Sequence, residues 1–190
     1  MTSSTEQQDV VELLLQQHQQ IKDMFARLER AGGAERERLF HYLVRFLAVH
    51  ESAEEMVVHP AARDSDERVV QQRLGEENEA KHALAKLYDM GVDHPQFATR
   101  LSMVGASVIQ HAEREEAEEF PLLLRDNSPE KLQRMAAMVR AAEATAPTRP
   151  HPGAGESAMA NILAGPPLAV FDRIRDAIRD AIRDGGSAST

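Results

Sequence analysis

Apolar residues recur along the chain at the three- and four-residue spacing typical of amphipathic helices. This spacing predicts a first helix over about residues 6–31, which the pair Gly32-Gly33 ends. It predicts a second helix over about residues 34–63, in which Pro60 bends or ends the helix near its C-terminus. The polar positions are mostly good helix formers and β-branched clusters are few, so we expect an all-α protein.

Two further long helices follow, each with its own start signal. The Asp-Ser-Asp-Glu sequence at 64–67 is a capping signal for a third helix, which runs to about Met90. Asp93 is predicted to cap a fourth helix, with Gln96 completing a capping box, and this helix continues to about Asp126. Four long helices joined by short links predict an antiparallel up-down-up-down four-helix bundle.

The pattern changes after the fourth helix. The Ser-Pro-Glu sequence at 128–130 opens a short fifth helix, so we expect a bundle with this extra helix over residues 1–144. Residues 145–169 are rich in Pro and Gly and are predicted to form a linker or a strap on the bundle. Residues 170–185 are predicted to form an amphipathic helix that docks on the bundle or on another subunit. Its apolar stripe consists of Ile174, Ile178 and Ile182.

Composition limits the chemistry. The net charge of −9 disfavours nucleic acid as a partner. The chain has no cysteine, which excludes disulfides, thiolate ligands and cysteine nucleophiles, so any metal must be bound by nitrogen and oxygen. The first residues show no export signal, and no apolar run approaches the ~20 residues of a membrane span. We therefore expect a cytoplasmic protein with no membrane anchor.

The second and fourth helices carry the same motif, His-x-x-x-Glu-Glu-x-x-x-x-Pro, at identical spacing. Its two copies are His50, Glu54, Glu55 and Pro60, and then His111, Glu115, Glu116 and Pro121. The first and third helices each add one histidine that is expected to face the interior, His18 and His82. The order along the chain is therefore two helical hairpins of the same design.

This spacing suits a metal site. Residues four apart on a helix differ by about 40° around the axis and ~6 Å along it, so the His and Glu of each motif project together. Glu54 and Glu115 can each bridge two metals, and imidazoles with bridging carboxylates suit di-iron. A single His-x-x-x-Glu is more typical of a solvated helix face. The duplication, together with the cost of burying unpaired imidazoles and carboxylates, favours metal binding.

The remaining histidines are not expected to bind metal. His41 and His59 lie nine residues either side of His50, which places them about 180° around a regular helix. His94 stands at a helix start, and His151 lies in the Pro-rich segment.

Three other side chains lie near the motif. Glu55 and Glu116 each follow a predicted ligand by one residue, about 100° around the helix. They are either surface charges or hydrogen-bond partners of the ligands. Tyr42, two turns before His50, is expected in the core, although its phenol could touch the site.

The predicted ligand set resembles the hemerythrin family, specifically the HHE cation-binding domains of bacteria, over about residues 9–144. That set is His18, His50, Glu54, His82, His111 and Glu115. The sequence at 146–152 is similar to the tail of actinobacterial members. The resemblance implies a hemerythrin-like bundle and two iron ions in a non-haem di-iron centre with an oxo or hydroxo bridge. It also implies binding of O2, NO or H2O2 at a vacant iron position.

The sequence departs from the oxygen carriers of this family at two points. Those proteins have two histidines four residues apart on the third helix, but here Asn78 stands four residues before His82. Glu51 or Glu79 could supply the missing ligand, Glu51 because a hemerythrin-like iron sensor uses Glu there; otherwise each is a surface charge. The second departure is Glu115, because oxygen carriers place an Asp one residue later.

These departures favour redox turnover of a small oxidant, peroxide or NO, in a catalase-like or peroxidase-like reaction. No dedicated acid or base stands out, although Glu51, Glu55 or Tyr42 could serve. The alternatives are O2 or NO binding or sensing without turnover, and iron storage or delivery. A metal-free helical interaction protein would leave the predicted His/Glu set unexplained. The C-terminal isoleucine stripe allows a homodimer.

Overall fold

A computed structural model describes residues 8–145, 169, 171–177 and 179–180, and within these residues it contains helices and turns but no strand. The helices are α1 (Val10–Arg30), α2 (Gly33–Ala53), α3 (His59–Arg63), α4 (Glu67–Met90), α5 (Phe97–Arg114), α6 (Phe120–Asp126) and α7 (Pro129–Thr145). Two π-helical turns, π1 (Glu54–Val58) and π2 (Glu115–Glu119), join α2 to α3 and α5 to α6. The chain therefore forms four rods. They are α1, then α2 with π1 and α3, then α4, and then α5 with π2 and α6.

The four rods form a closed ring. α1 packs against α2 and α5, and α4 packs against α3 and α5. The links between rods are short, so successive rods run antiparallel, and the predicted four-helix bundle is confirmed. α7 lies across α1, α2 and π1 on the outside of the ring.

The helix ends follow local capping chemistry in most places. The Asp66 carboxylate accepts hydrogen bonds from the first turn of α4, and Gly91 ends that helix with a φ of 79°. The prediction that Asp93 caps the fourth helix is wrong, because α5 begins only at Phe97. Pro95 disfavours helical backbone angles at the residue before it, so the chain makes a turn there before the helix starts.

Leucines from every rod fill the centre of the ring. Leu14, Leu43, Leu84 and Leu101 are each at most 1% exposed. Burial of one such side chain stabilises the fold by about 1.5–3 kcal/mol. None of the described helices has the length and apolar character that a membrane crossing requires.

The C-terminal segment joins the same core. Residues 171–177 are helical, and Phe171 and Ile174 are buried against the bundle. Ile174 is thus used within its own chain. Ile178, Ile182, His151 and nearly all of the predicted linker at 145–169 lie outside the described residues, so the domain boundaries stay a prediction.

Candidate metal centre

Both copies of the motif widen into a π-helical turn that begins at the first glutamate of the Glu-Glu pair. In π1 the His59 N–H donates to the Glu54 carbonyl five residues earlier, and Phe120 does the same to Glu115 in π2. A proline follows one residue later in each copy, and its ring would clash with the carbonyl four residues before it in a regular helix. Widening by one residue relieves this clash. π-turns of this kind are frequent at functional sites.

The first group of candidate ligands is buried inside the bundle. His18, His50, Glu54 and Glu115 each present a ligand atom within 4.8 Å of the others, and all four side chains are buried. His50 Nε2 lies 3.3 Å from Glu54 Oε2, and His18 Nε2 lies 3.4 Å from Glu115 Oε2. The π1 and π2 turns thus aim two carboxylates at the same pair of imidazoles.

A second group lies beside the first and shares one residue with it. His59, Glu77 and Glu115 also present ligand atoms within 4.8 Å of one another. His59 Nε2 lies 2.6 Å from Glu77 Oε1, and its Nδ1 lies 2.8 Å from Glu119 Oε1. His111 Nε2 lies 3.2 Å from Glu115 Oε1. Glu115 therefore stands between two sets of donors.

The structure brings together five of the six residues predicted as ligands and leaves one outside. His18, His50, Glu54, His111 and Glu115 are buried around the same point, whereas His82 is exposed. The expectation that His82 faces the interior is wrong. Its side chain lines a surface cavity of about 270 Å³ between α4 and the C-terminal helix.

The packing of α4 explains this correction. Its buried positions include Val70, Glu77 and Leu84, which are seven residues apart and therefore lie on one face. His82 lies five residues after Glu77, about 140° around the helix. Glu77, which is not part of the duplicated motif, occupies the interior position on this rod. The seven-residue spacing of Glu77 from Val70 and Leu84 was the sequence signal that could have identified it as an interior residue.

The expectation that His59 faces away from the site is also wrong, since this histidine is 1% exposed and belongs to the second group. A regular helix would place it about 180° from His50. Because π1 contains one extra residue, the nine residues from His50 to His59 rotate around the axis only as far as eight residues of a regular helix. The angle between the two side chains is therefore about 80°. Glu119 of π2 was missed as a member of the site for the same reason, because the motif spacing does not indicate a π-turn.

The additional candidates are divided among several environments. Glu51 is buried and Glu55 partly buried, and both lie near Lys81, whose Nζ is 2.5 Å from Glu55 Oε1 and 3.7 Å from Glu51 Oε2. Glu79 is exposed and points away from the centre. The Tyr42 ring contacts Phe46, which in turn stacks on His50, so the phenol ring is separated from the site by one aromatic layer.

The two donor groups, with His111 and Glu119 beside them, form one buried cluster. Three of its histidines have hydrogen-bond partners at Nδ1 that hold the rings in place. His18 Nδ1 lies 2.9 Å from Glu116 Oε1, so Glu116 is a hydrogen-bond partner of a candidate ligand. His111 Nδ1 lies 2.9 Å from Glu76 Oε2, and His50 Nδ1 lies 2.7 Å from the side-chain oxygen of Gln17. Metal-binding histidines are typically oriented in this way.

In the metal-free chain, protons supply positive charge among these carboxylates. Burial alone would lower the pKa of His18, but the nearby carboxylates of Glu115 and Glu54 raise it to about 10. The pKa of His111 rises to about 10 against the effect of burial, with Glu115 as its strongest partner. Burial would lower the pKa of His59, but its hydrogen bonds to Glu119 and Glu77 and their charges raise it to about 11.

Burial acts differently on the remaining members. It raises the pKa of Glu54 to about 8, and the charge of Glu115 adds to this rise. It lowers the pKa of His50 to about 3, with repulsion from His18 adding to the effect. Burial works against ionisation of Glu115 as well, but His111 and His18 hold its pKa well below the usual range. A cation must displace protons from this cluster to bind.

The donor set fits a metal by a direct structural test. Among the described residues, several buried side-chain atoms without a hydrogen-bond partner converge on this point. They are Nε2 of His18 and of His111, both carboxylate oxygens of Glu54, and one oxygen each of Glu77, Glu115 and Glu119. Leaving buried polar atoms unpaired is costly, and a cation would satisfy them together. Imidazole nitrogen and carboxylate oxygen are donors that iron accepts.

Proteins of similar sequence and of similar fold are known. A DNA nickase of Nostoc sp. is 23% identical over 147 residues, which cover 75% of this chain and 42% of that protein. An uncharacterised hemerythrin-like protein of Schizosaccharomyces pombe is 27% identical over 134 residues, which cover 68% of this chain and 66% of that protein. The chain thus spans less than two thirds of the length of either relative.

The fold has a counterpart among solved structures. A hemerythrin HHE cation binding domain-containing protein from Mycobacterium kansasii superposes with a TM-score of 0.68 at 18% identity, covering 92% of this chain and 99% of that one. The family model of the hemerythrin HHE cation binding domain matches residues 9–123, more than half of the chain. These residues include every member of both donor groups, and the chain belongs to the hemerythrin HHE cation-binding domain family.

Proposed function

We propose that this chain holds a non-haem di-iron centre at which a small oxidant, peroxide or NO, is bound and turned over. The observation that carries the proposal is the position of Glu115, which belongs to both groups of buried donors. A carboxylate has two oxygens, so one that is shared by two donor sets suits a pair of neighbouring metals.

The two donor groups suggest how the ions would be divided. His18, His50 and Glu54 would hold one iron, and Glu77 with His59 would hold the other, with Glu115 between them. His111 would add a nitrogen beside Glu115, and Glu119 an oxygen beside His59. In this proposal Glu77 takes the place on the third rod that the sequence reading assigned to His82.

The bound irons would supply Lewis acidity and electrons for reduction of the oxidant. The chain's own residues would keep the site dry and its imidazoles oriented. The Phe120 ring stacks on His18 at 5.6 Å between ring centroids, and the Phe46 ring lies against His50. Low polarity around the donors strengthens every electrostatic interaction within the cluster.

The composition of the second group favours turnover over reversible O2 carriage. It offers one imidazole and two carboxylates, and with Asn78 in place of the second third-helix histidine of the oxygen carriers the site has a harder set of donors. We therefore place O2 or NO binding without turnover second, and iron storage or delivery third. The net charge of −9 disfavours a polyanionic substrate, so DNA nicking is not extended to this chain. A cytoplasmic location and a homodimer stay predictions.

The experiment that tests this function measures iron content, the optical spectrum, and the consumption of peroxide and NO by the purified protein. We expect two irons per chain, near-ultraviolet charge-transfer bands, and turnover. A reversible spectral change with O2 and no turnover would favour the binding module instead. Iron that transfers readily to an acceptor would favour storage or delivery. A folded protein that takes up no iron from an iron-rich medium would refute the metal centre.

A further inference from the structure

Behind His50, a chain of two hydrogen bonds leads out of the cluster to α7. His50 Nδ1 lies 2.7 Å from Gln17 Oε1, and Gln17 Nε2 lies 2.5 Å from Glu143 Oε1 on α7. Gln17 is 3% exposed, and Glu143 is partly buried. The family model ends at residue 123, so Glu143 lies outside the part of the chain that defines the family.

The partner of His50 differs in kind from those of the neighbouring histidines. His18 and His111 meet the carboxylates of Glu116 and Glu76 directly. An ionised carboxylate only accepts hydrogen bonds, so it requires a proton on the Nδ1 that faces it. The side chain of Gln17 has a donor and an acceptor at opposite sides of one amide, so it can serve either tautomer of an imidazole. Gln17 by itself therefore leaves the tautomer of His50 undecided.

Glu143 removes this ambiguity. Its carboxylate accepts the amide N–H of Gln17, which turns the amide oxygen towards His50 and places the imidazole proton on Nδ1. Nε2 of His50 then presents a lone pair on the side of Glu54, 3.3 Å away. Burial raises the pKa of Glu143, and the charge of Arg140 opposes that rise and favours the ionised acceptor.

We propose that Glu143 is a positioning residue of the metal centre, which acts through Gln17 to hold His50 in the tautomer whose Nε2 can bind a cation. The inference rests on the proposed role of His50 as a ligand, but it does not require turnover of any substrate. It gives α7, which packs on the outside of the four rods, a direct connection to the centre of the bundle.

The first test substitutes Glu143→Gln, which keeps the size of the side chain and removes its acceptor-only character. Gln17 can then turn either way, so we expect His50 in the metal-free protein at neutral pH to populate both tautomers. Imidazole ¹⁵N chemical shifts measure this directly, and the wild-type protein should show the Nδ1-protonated form alone. Anaerobic titration with Fe²⁺ should show affinity weakened by about 10- to 100-fold, as for other partners of metal ligands.

The second test separates hydrogen-bond direction from packing. In the double variant Gln17→Glu with Glu143→Gln, the carboxylate stands at position 17 and the amide at position 143. The carboxylate at position 17 accepts from both His50 and the new amide, so the imidazole proton stays on Nδ1 although the hydrogen bond between positions 17 and 143 is reversed. We expect the Nδ1-protonated tautomer and most of the Fe²⁺ affinity to return. Gln17→Glu alone should also keep this tautomer, which provides a readout if Glu143→Gln folds poorly.

A single Nδ1-protonated tautomer and wild-type Fe²⁺ affinity in Glu143→Gln would overturn the inference. Loss of both properties in the double variant would also overturn it, because that result would assign Glu143 a packing role only. The tautomer measurement needs no metal. A wild-type chain that bound no iron would refute the proposed function, whereas the imidazole spectra would still decide the role of Glu143.

Discussion

The sharpest prediction concerns the third rod, where the structure replaces His82 by Glu77 as the residue that faces the cluster. We predict that Glu77→Gln lowers the iron content from two to about one per chain, whereas His82→Ala leaves it at two. The first group of donors contains neither residue, and the second group contains Glu77 but not His82. A third variant, Glu115→Ala, should lose both irons because Glu115 belongs to both groups.

The size of each effect follows from what the substitution removes. Glu77→Gln has nearly the same volume and can still accept the hydrogen bond from His59, so the bundle should fold. It replaces an anionic ligand by a neutral one in a group of three. The affinity for the second iron should therefore fall by more than the about 10- to 100-fold that is typical of losing a ligand's hydrogen-bond partner.

The assay is elemental analysis of iron per chain after anaerobic loading and desalting, with circular dichroism to confirm the helical fold. His94→Ala, at an exposed position far from the cluster, serves as a further control. If His82→Ala lost as much iron as Glu77→Gln, the face of α4 assigned to the interior would be wrong. Equal iron content in all variants would remove the ligand assignment altogether.

Three further predictions concern stability. The metal-free protein should become less stable from pH 7 to 10, because the folded state holds protons on His18, His59 and His111 up to pKa values of about 10 or 11, whereas the unfolded chain releases them above about pH 6.5. Glu54, with a folded-state pKa raised to about 8, adds to this fall up to that pH, because the unfolded chain ionises it more readily. Thermal melts should show this fall for chelator-treated protein, and constant stability over that range would contradict it. Gly105→Ala should destabilise by up to about 2 kcal/mol in urea unfolding, because a Cβ there would lie 3.0 Å from the buried Phe25 ring and the overpacking exceeds the gain of ~1 kcal/mol in helix propensity; a gain of the full ~1 kcal/mol would show that the ring moves freely. Leu84→Ala should cost about 2–5 kcal/mol in the same assay, whereas Met103→Ala, at a position 68% exposed, should stay within about 0.5 kcal/mol of the wild type. Similar losses in both would argue against the described core.

Much of the architecture could be read from local pattern. Apolar spacing together with capping sequences predicted the four rods and α7, because a helix must bury an apolar face and satisfy the backbone groups at its ends whatever its partner is. The capping sequence before Glu67 and the glycine at 91 marked the limits of α4 correctly. The duplicated motif located both copies of the His-x-x-x-Glu pair, since residues four apart share a helix face regardless of tertiary context.

The third rod shows where that reasoning stopped. Motif order suggested His82, but the face that a helix turns inward is decided by the packing of its whole apolar stripe, here Val70, Glu77 and Leu84. A charged residue inside such a stripe is easily taken for a surface position. Only the surrounding rods, which contribute His59 and Glu115, make burial of Glu77 intelligible.

The sequence by itself therefore determined the helices, their order, and the pair of His-x-x-x-Glu faces, because these depend on contacts within a few residues. The tertiary structure decided the rest. The π-turns that bring His59 into the cluster arise from competition between proline geometry and the helical hydrogen bonds. The link from Gln17 to Glu143 joins residues 126 positions apart, and only the packing of α7 against α1 brings them together.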